Sequence, residues 1–101
     1  DMLEDEQESQ LLTVCLTNRA FAYLKLGHHE EALADATKAA EVNPKYTKAW
    51  FRKGLALHAL KRYREAAQTL GKALDLEPKN DQIKQALGFA ELRMRKQMAG
   101  Q

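Results

Sequence analysis

The sequence predicts an all-α protein, formed by two stacked helical hairpins and one further helix that closes the stack. Helix-breaking residues are scarce, with five Gly and two Pro in 101 residues, and this favours long helices over many short strands. Apolar residues recur at i, i+4 and i+7, which is the spacing of one face of a helix. The chain also repeats itself at the offset that separates its two prolines, and a fixed period of roughly 20–50 residues is typical of stacked supersecondary units.

The internal repeat is marked by Pro44 and Pro78, whose separation in the chain is its period. At this offset nine of 34 aligned positions are identical, among them the pairs Glu31-Ala32 and Glu65-Ala66. Helical periodicity alone can align small residues, but it does not align both prolines and both Glu-Ala pairs. The predicted organisation is an acidic N-terminal extension at 1–12, repeat unit 1 at 13–46, repeat unit 2 at 47–80 and a capping helix at 81–99.

Each repeat unit is expected to form two helices joined by a short turn. In unit 1, Gly27 and the pair His28-His29 supply the turn, and Pro44 stops the second helix. Small residues at Ala20 and Gly54 are expected to let the helices of each hairpin approach closely. The four predicted helix faces are Leu16, Ala20 and Tyr23; Ala32, Ala36 and Ala39; Trp50, Gly54 and Leu57; and Ala66, Leu70 and Ala73.

The two ends of the chain are predicted to differ. Asn80 or Asp81 can cap the last helix, whose single apolar face contains Ile83, Leu87, Ala90, Met94 and Met98. One apolar stripe with a polar back is what the end of a solenoid requires. Residues 1–10 contain five acids and no base, and this acidic segment can extend the first helix backwards from Leu11.

The pattern of large and small residues, closed by proline in each repeat unit, resembles the tetratricopeptide repeat family. The resemblance covers residues 13–80 and implies a tetratricopeptide-type solenoid of helical hairpins. The matching residues are Leu16, Ala20, Tyr23, Gly27, Ala32, Ala36, Ala39 and Pro44, then Trp50, Gly54, Tyr63, Ala66, Leu70, Ala73 and Pro78. The chain departs from the family pattern at Arg19 and Lys53, which replace leucine, at Lys61, which replaces the turn glycine, and at His29. We expect these departures to loosen the local packing.

Stacked hairpins curve, and the first helix of each unit then lines a concave groove. In unit 2 the stripe facing this groove is expected to contain Lys48, Phe51, Arg52 and Leu55, and Phe21 belongs to the matching stripe of unit 1. Lys and Arg bind carboxylates, and Arg can do so through two parallel hydrogen bonds. Phe21, Phe51 and Leu55 are candidates for holding aliphatic side chains. The groove therefore suits an acidic, partly apolar peptide.

Two segments, Thr17-Asn18-Arg19-Ala20 and Lys48-Ala49-Trp50-Phe51-Arg52, resemble a narrower group, the carboxylate-clamp co-chaperones of this family. The resemblance implies that Asn18, Lys48 and Arg52 bind the C-terminal carboxylates of heat-shock chaperones that end in Glu-Glu-Val-Asp. Two further clamp residues of the family come from a preceding repeat and have no counterpart in residues 1–12. The chain then corresponds to the last two repeats and cap of a three-repeat domain, or to a two-repeat variant.

Two other binding functions remain as alternatives. The exposed face of unit 1, with Leu11, Leu12 and Val14, could oligomerise the protein or dock another domain, so a homo-oligomer is the second hypothesis. Seven bases and no acid lie between Lys45 and Arg64, but in a two-helix unit these charges are divided between the groove and the back. Nucleic-acid binding is therefore disfavoured.

Composition and motifs argue against several other classes. A chain that is 45% hydrophobic and 30% charged is typical of a folded globular domain. No apolar run approaches the roughly 18–20 residues of a membrane span, and the acidic N-terminus is unlike a secretory signal. The single cysteine, Cys15, cannot form an internal disulfide and is expected to be a small buried residue. We therefore expect a reducing location, cytoplasmic or nuclear.

Catalysis and cofactors are not expected. Ser9 is the one serine, and it lies in the acidic segment, so no arrangement of nucleophile, base and orienting residue can be recognised. The chain has no glycine-rich phosphate loop. His28 and His29 are adjacent and point in different directions, so a turn is favoured over a metal site. The sequence therefore predicts a binding module that is not an enzyme and carries no cofactor or metal.

Overall fold

The computed structural model describes residues 1–100, which form five helices and, within that range, no strand. The helices are α1 (Met2–Lys25), α2 (His29–Val42), α3 (Thr47–Ala59), α4 (Tyr63–Leu76) and α5 (Asp81–Ala99). Each helix packs against the next one along the chain, and α3 also contacts α1 and α5. The first helices of the units thus form one layer that α5 continues. The predicted all-α architecture of two hairpins and a closing helix is confirmed.

Local signals account for the start of the longest helix and of the last one. Asp1 and Glu4 form a reciprocal capping box at the start of α1, and such a box satisfies two of the backbone N–H groups left free at a helix start. α1 then runs through the acidic segment without a break. At α5, the Asn80 side chain accepts a hydrogen bond of 3.1 Å from the Ile83 backbone N–H, so Asn80 is the cap.

The turns inside the two hairpins share one backbone conformation. Gly27 has φ +79° and Lys61 has φ +64°, and both values lie in the left-handed region. Glycine enters that region at little cost, whereas a residue with a side chain is strained there. Lys61 therefore keeps the turn geometry of Gly27 although it lacks the conformational freedom of glycine.

The apolar core lies mainly in unit 2 and α5. Its buried members are Phe51, Leu57, Ala66, Leu70, Ala73, Ile83 and Ala90. A smaller cluster of Ala39, Ala40 and Ala49 joins α2 to α3. Trp50 packs against both clusters, and its indole N–H donates a 2.7 Å hydrogen bond to the Pro44 carbonyl oxygen. Trp50 therefore ties the end of unit 1 to the core of unit 2.

Arg19, which departs from the family pattern, forms an ion pair between the two helices of unit 1. Its Nε and Nη2 atoms donate hydrogen bonds of 2.6 and 2.8 Å to the two carboxylate oxygens of Asp35. Asp35 is 7% exposed, while the Arg19 side chain is 61% exposed. The hydrogen bond to Asp35, together with the charge of that carboxylate, raises the pKa of Arg19. Arg19 thus joins α1 to α2 by a bidentate ion pair where a leucine is usual.

The expectation of a buried Cys15 is wrong, since Cys15 is exposed. The buried residues of this part of α1 are Thr13, Thr17 and Ala20, which recur at i, i+4 and i+7 and so share one face. Cys15 lies midway between the first two of these, and two residues along a helix correspond to roughly half a turn. Cys15 therefore faces away from α2.

The N-terminal face of unit 1 is apolar in part and uncovered. Leu11 is 65% exposed, Leu12 44% and Val14 38%, which agrees with the expectation for this face. None of the helices in residues 1–100 is both long enough and apolar enough to cross a membrane.

Candidate functional site

The candidate site is a small pocket at the start of α3. Lys48, Phe51 and Arg52 lie within about one helical turn and line this cavity of about 120 Å³. The other lining residues are Thr47 of α3, Glu77 and Asn80 of the loop before α5, and Gln82 and Ile83 of α5. The pocket therefore forms where the N-terminal end of α3 meets the loop before α5.

Arg52 is held against two aromatic rings. Its guanidinium carbon lies 4.2 Å from the centroid of the Phe21 ring and 5.6 Å from that of Phe51. Because one ring comes from α1 and the other from α3, the cation is positioned between the two repeat units. A guanidinium placed over an aromatic face is attracted by the ring quadrupole. The rings thus hold a positive charge at the groove without neutralising it.

Arg52 also lacks an acceptor for one of its donors. The residue is half-buried, and its Nε atom is buried with no hydrogen-bond partner among residues 1–100. Burial lowers the pKa of Arg52, yet an arginine side chain stays protonated in proteins. A buried donor without a partner costs free energy, and more so on a charged group.

Two of the three predicted clamp residues share the pocket, and the third does not line it. Lys48 and Arg52 are both wall residues. Asn18 is exposed and lies three residues before Phe21 on α1, so the two residues lie on neighbouring turns of the same helix side. Phe21 contacts Arg52, and Asn18 therefore lies toward the same groove but outside the pocket walls.

The three apolar residues predicted to line the groove differ in their exposure and in the cavities that they line. Phe21 is 38% exposed, and cations approach its ring from two residues, with Lys25 Nζ 4.5 Å from its centroid. Phe51 is a core residue at 7% exposure that also forms part of the pocket wall. Leu55 is half-buried and lines a second cavity of about 410 Å³ between α3 and α5. The apolar surface of the groove thus extends from Phe51 toward α5.

Glu77 is a pocket residue that sequence reasoning missed. Its carboxylate accepts a hydrogen bond of 3.1 Å from Asn80 Nδ2. Hydrogen bonds from Asn80 and Thr47, with a smaller contribution from the charge of Lys48, lower the pKa of Glu77, so the group is ionised at neutral pH. The pocket therefore contains two cations and one carboxylate. No sequence signal pointed to Glu77, because it lies in the interhelix loop.

The histidines show no metal-binding arrangement. His28 Nδ1 lies 3.4 Å from Glu31 Oε2, and the His28 ring stacks on Tyr23 at 5.9 Å between centroids. Across residues 1–100, no group of three or more His, Cys, Asp and Glu side chains could hold a metal ion. The described pocket brings the cations of Lys48 and Arg52 together, and cations of this kind attract anionic groups.

Comparison with known proteins places this geometry in a family. The Tetratricopeptide repeat family model matches residues 17–81. Small glutamine-rich tetratricopeptide repeat-containing protein 2 of Mycosarcoma maydis is 38% identical over 78 residues, which cover 77% of this chain and 22% of that protein. The chain spans less than a quarter of the length of such curated relatives.

Two solved structures align with most of the chain. The second TPR domain of human RPAP3, in complex with the HSP70 peptide SGPTIEEVD, is 38% identical with a TM-score of 0.75 and covers 78% of this chain and 66% of that one. The first TPR of Spaghetti (RPAP3), bound to the HSP90 peptide SRMEEVD, is 35% identical with a TM-score of 0.80 and covers 82% and 66%. With two helical hairpins repeated at a fixed period and a family match over 17–81, the chain belongs to the tetratricopeptide repeat family.

Proposed function

We propose that this chain is the peptide-binding domain of an adaptor or co-chaperone, and that it binds the acidic C-terminal tail of a heat-shock chaperone in the groove of α1 and α3. The observation that carries the proposal is Arg52, a half-buried cation that lines the pocket with Lys48 and forms no ion pair among the described residues. A carboxylate is an anionic group that a guanidinium binds strongly, through charge-assisted hydrogen bonds.

The similar structures support the choice of peptide. Both bound peptides, one from HSP70 and one from HSP90, end in Glu-Glu-Val-Asp. A tail of this kind places several carboxylates at its end, next to the valine. Lys48 and Arg52 would bind a terminal carboxylate, Asn18 would add a neutral hydrogen bond from α1, and Phe21, Phe51 and Leu55 would contact the aliphatic parts. A cytosolic location, or alternatively a nuclear one, agrees with this partner.

Titration with a synthetic peptide ending in Glu-Glu-Val-Asp tests the proposal. Calorimetry should give micromolar binding that weakens as salt is added, because exposed charges are screened. The double variant Lys48→Ala/Arg52→Ala should lose affinity by about tenfold or more, since each hydrogen bond between charged groups contributes roughly 1.5–3 kcal/mol. Amidation of the terminal carboxylate should also weaken binding.

Lys38→Ala/Lys84→Ala is a matched control, because it also removes two positive charges and both lysines are exposed and do not line the pocket. It should bind the peptide as the unaltered chain does. If Lys48→Ala/Arg52→Ala binds as tightly as this control, Lys48 and Arg52 do not form the site and the proposal is wrong.

Self-association is the second candidate function, and the uncovered apolar face of unit 1 favours it. Leu11 and Leu12 are the most exposed apolar residues of that face, and large exposed apolar patches mark interaction sites. Sedimentation at tens of micromolar distinguishes the two cases. A dimer that Leu11→Asp dissociates would support self-association, whereas a monomer at this concentration would argue against it.

A further inference from the structure

Glu77 places a negative charge in a pocket whose other charged walls are positive. It lines the same cavity of about 120 Å³ as Lys48 and Arg52. Glu77 is exposed, and Asn80 Nδ2 donates a hydrogen bond of 3.1 Å to its Oε1. The wall charges of the pocket therefore add up to +1 rather than +2. A ligand carboxylate must enter beside a carboxylate that is already present.

The equivalent position in unit 1 carries no charge. One repeat period before Glu77 the chain has Asn43, whose side-chain oxygen accepts a 3.2 Å hydrogen bond from the Lys45 backbone N–H. An uncharged side chain is thus accommodated at this place in the loop before the repeat proline. The carboxylate of Glu77 is therefore not required by the loop itself.

The size of the pocket makes the extra charge important. The charged walls enclose a small cavity of about 120 Å³, so a ligand group that enters it lies close to all three charges. Like charges close together destabilise each other, as opposite charges stabilise. With Glu77 present, a first carboxylate of the ligand brings the net charge of the pocket from +1 to zero, so a second carboxylate nearby gains no further net attraction.

We propose that Glu77 is a specificity-determining residue that weakens the preference of this pocket for a second carboxylate of the bound peptide. This inference rests on the proposed function, because it concerns the same pocket and the same class of ligand. A C-terminal aspartate carries two carboxylates, one on the main chain and one on the side chain. Glu77 reduces the advantage that the second carboxylate would otherwise give.

Two peptides that differ in one group test the inference. One ends in Glu-Glu-Val-Asp and the other in Glu-Glu-Val-Asn, so they share the terminal carboxylate and differ in the side-chain charge. Calorimetry measures the two dissociation constants, and the quantity compared is the value for the asparagine peptide divided by the value for the aspartate peptide. In Glu77→Gln this ratio should rise about two- to fivefold in favour of the aspartate peptide, which is the range expected for one partly exposed charge pair. The glutamine keeps an oxygen that can accept the hydrogen bond from Asn80.

Asp75→Asn is the matched control, because it makes the same change in net charge at an exposed site near the end of α4 that does not line the pocket. Its ratio should equal that of the unaltered chain. Glu77→Asn, which copies the side chain found in unit 1, should raise the ratio as Glu77→Gln does.

The outcomes separate this inference from the proposed function. If Lys48→Ala/Arg52→Ala weakens peptide binding but Glu77→Gln leaves the ratio unchanged, the role of Glu77 is wrong and the proposed function stands. If Asp75→Asn raises the ratio as much as Glu77→Gln, general charge rather than the pocket is responsible and the inference also fails. If neither peptide binds to the unaltered chain, the proposed function itself is overturned, and the role of Glu77 with it.

Discussion

The two repeat units share a helical plan but close their hairpins by different means. In unit 2, Gly54 leaves the space that Leu70 fills, since a Cβ atom added at Gly54 would lie 2.5 Å from the Leu70 side chain. The equivalent positions in unit 1 are Ala20 and Ala36, both fully buried. One hairpin thus combines no side chain with a large one, and the other combines two small ones. A closely packed interior accepts either solution.

The polar contacts between the two helices of each unit also differ. Unit 1 is joined by the bidentate pair of Arg19 and Asp35, whose equivalents in unit 2 are Lys53 and Thr69. The main apolar cluster, in contrast, contains no buried member from unit 1. Unit 1 therefore relies on an ion pair where unit 2 relies on burial of leucine and phenylalanine. The comparison teaches that the repeat specifies where helices meet and leaves open which interaction holds them.

Overpacking unit 2 should give the largest effect. Gly54→Ala should destabilise the fold by about 1–2 kcal/mol, because the clash with Leu70 outweighs the better helix propensity of alanine. Thermal unfolding followed by circular dichroism would show a melting temperature lower by roughly 4–8 °C per kcal/mol. Gly88→Ala is the matched control, one repeat period further along the chain, where nothing lies within 4 Å of an added Cβ.

The control should stabilise by about 0.5–1 kcal/mol, the usual gain from replacing glycine inside a helix. If Gly54→Ala also stabilised the protein, Leu70 would not depend on the space above Gly54, and the proposed difference in packing would be contradicted.

Breaking the ion pair of unit 1 should give the next effect. Asp35→Ala should lower the melting temperature by less than Gly54→Ala does, because Arg19 is largely exposed and can be solvated once its partner is removed. Added salt should lower the melting temperature of the unaltered chain toward that of the variant, since salt screens exposed charges. Thr69→Ala, at the equivalent position of unit 2, should show no such dependence on salt.

The pair can also be transplanted. Lys53→Arg combined with Thr69→Asp should create in unit 2 an ion pair like that of Arg19 and Asp35, with a favourable coupling energy between the two positions. A double-mutant cycle with no coupling between positions 53 and 69 would show that the hairpins differ in geometry as well as in sequence.

The turns should give the smallest effect. Lys61→Gly should stabilise the fold by about 0.5–1 kcal/mol. The left-handed conformation costs a residue with a side chain roughly 1–2 kcal/mol, and the greater freedom of glycine in the unfolded chain offsets part of the gain from removing this cost. Gly27→Ala should destabilise by a similar amount, although nothing lies within 4 Å of the added Cβ. Denaturant unfolding of both variants measures this. Equal stabilities of Lys61→Gly and the unaltered chain would mean that the Lys61 conformation is not strained.

Much of the fold follows from local patterns. The repeat offset and the spacing of apolar residues place all five helices in order, and Gly27 marks the first turn. The same spacing puts Lys48 and Arg52 on one side of α3, because residues four apart on a helix lie above one another. Asn80 and Asp81 were equivalent as caps until the hydrogen bond from the Ile83 N–H identified Asn80.

Other features could not be read from the sequence. Arg19 and Asp35 are 16 residues apart on different helices, so periodicity does not pair them. Cys15 was expected to be buried because of its chemistry, but its place on α1 turns it away from α2. Glu77 and Gln82 reach the pocket from outside the first helices of the two units, and no pattern within α1 or α3 indicates them.

There is a physical reason why some features can be predicted from the sequence and others only from the structure. Positions along one helix are set by its rise and its rotation per residue, and the residue types at those positions give the helix faces, the repeat and the cationic stripe of α3. Distances between helices depend on how ridges of side chains pack into grooves, which involves residues far apart in the chain. That packing brings Phe21 of α1 against Arg52 and closes the pocket with Glu77. The sequence by itself thus determines the helical repeats and places Lys48 and Arg52 on one side of α3. Helix packing then brings residues of other elements against these two cations and forms the charged pocket.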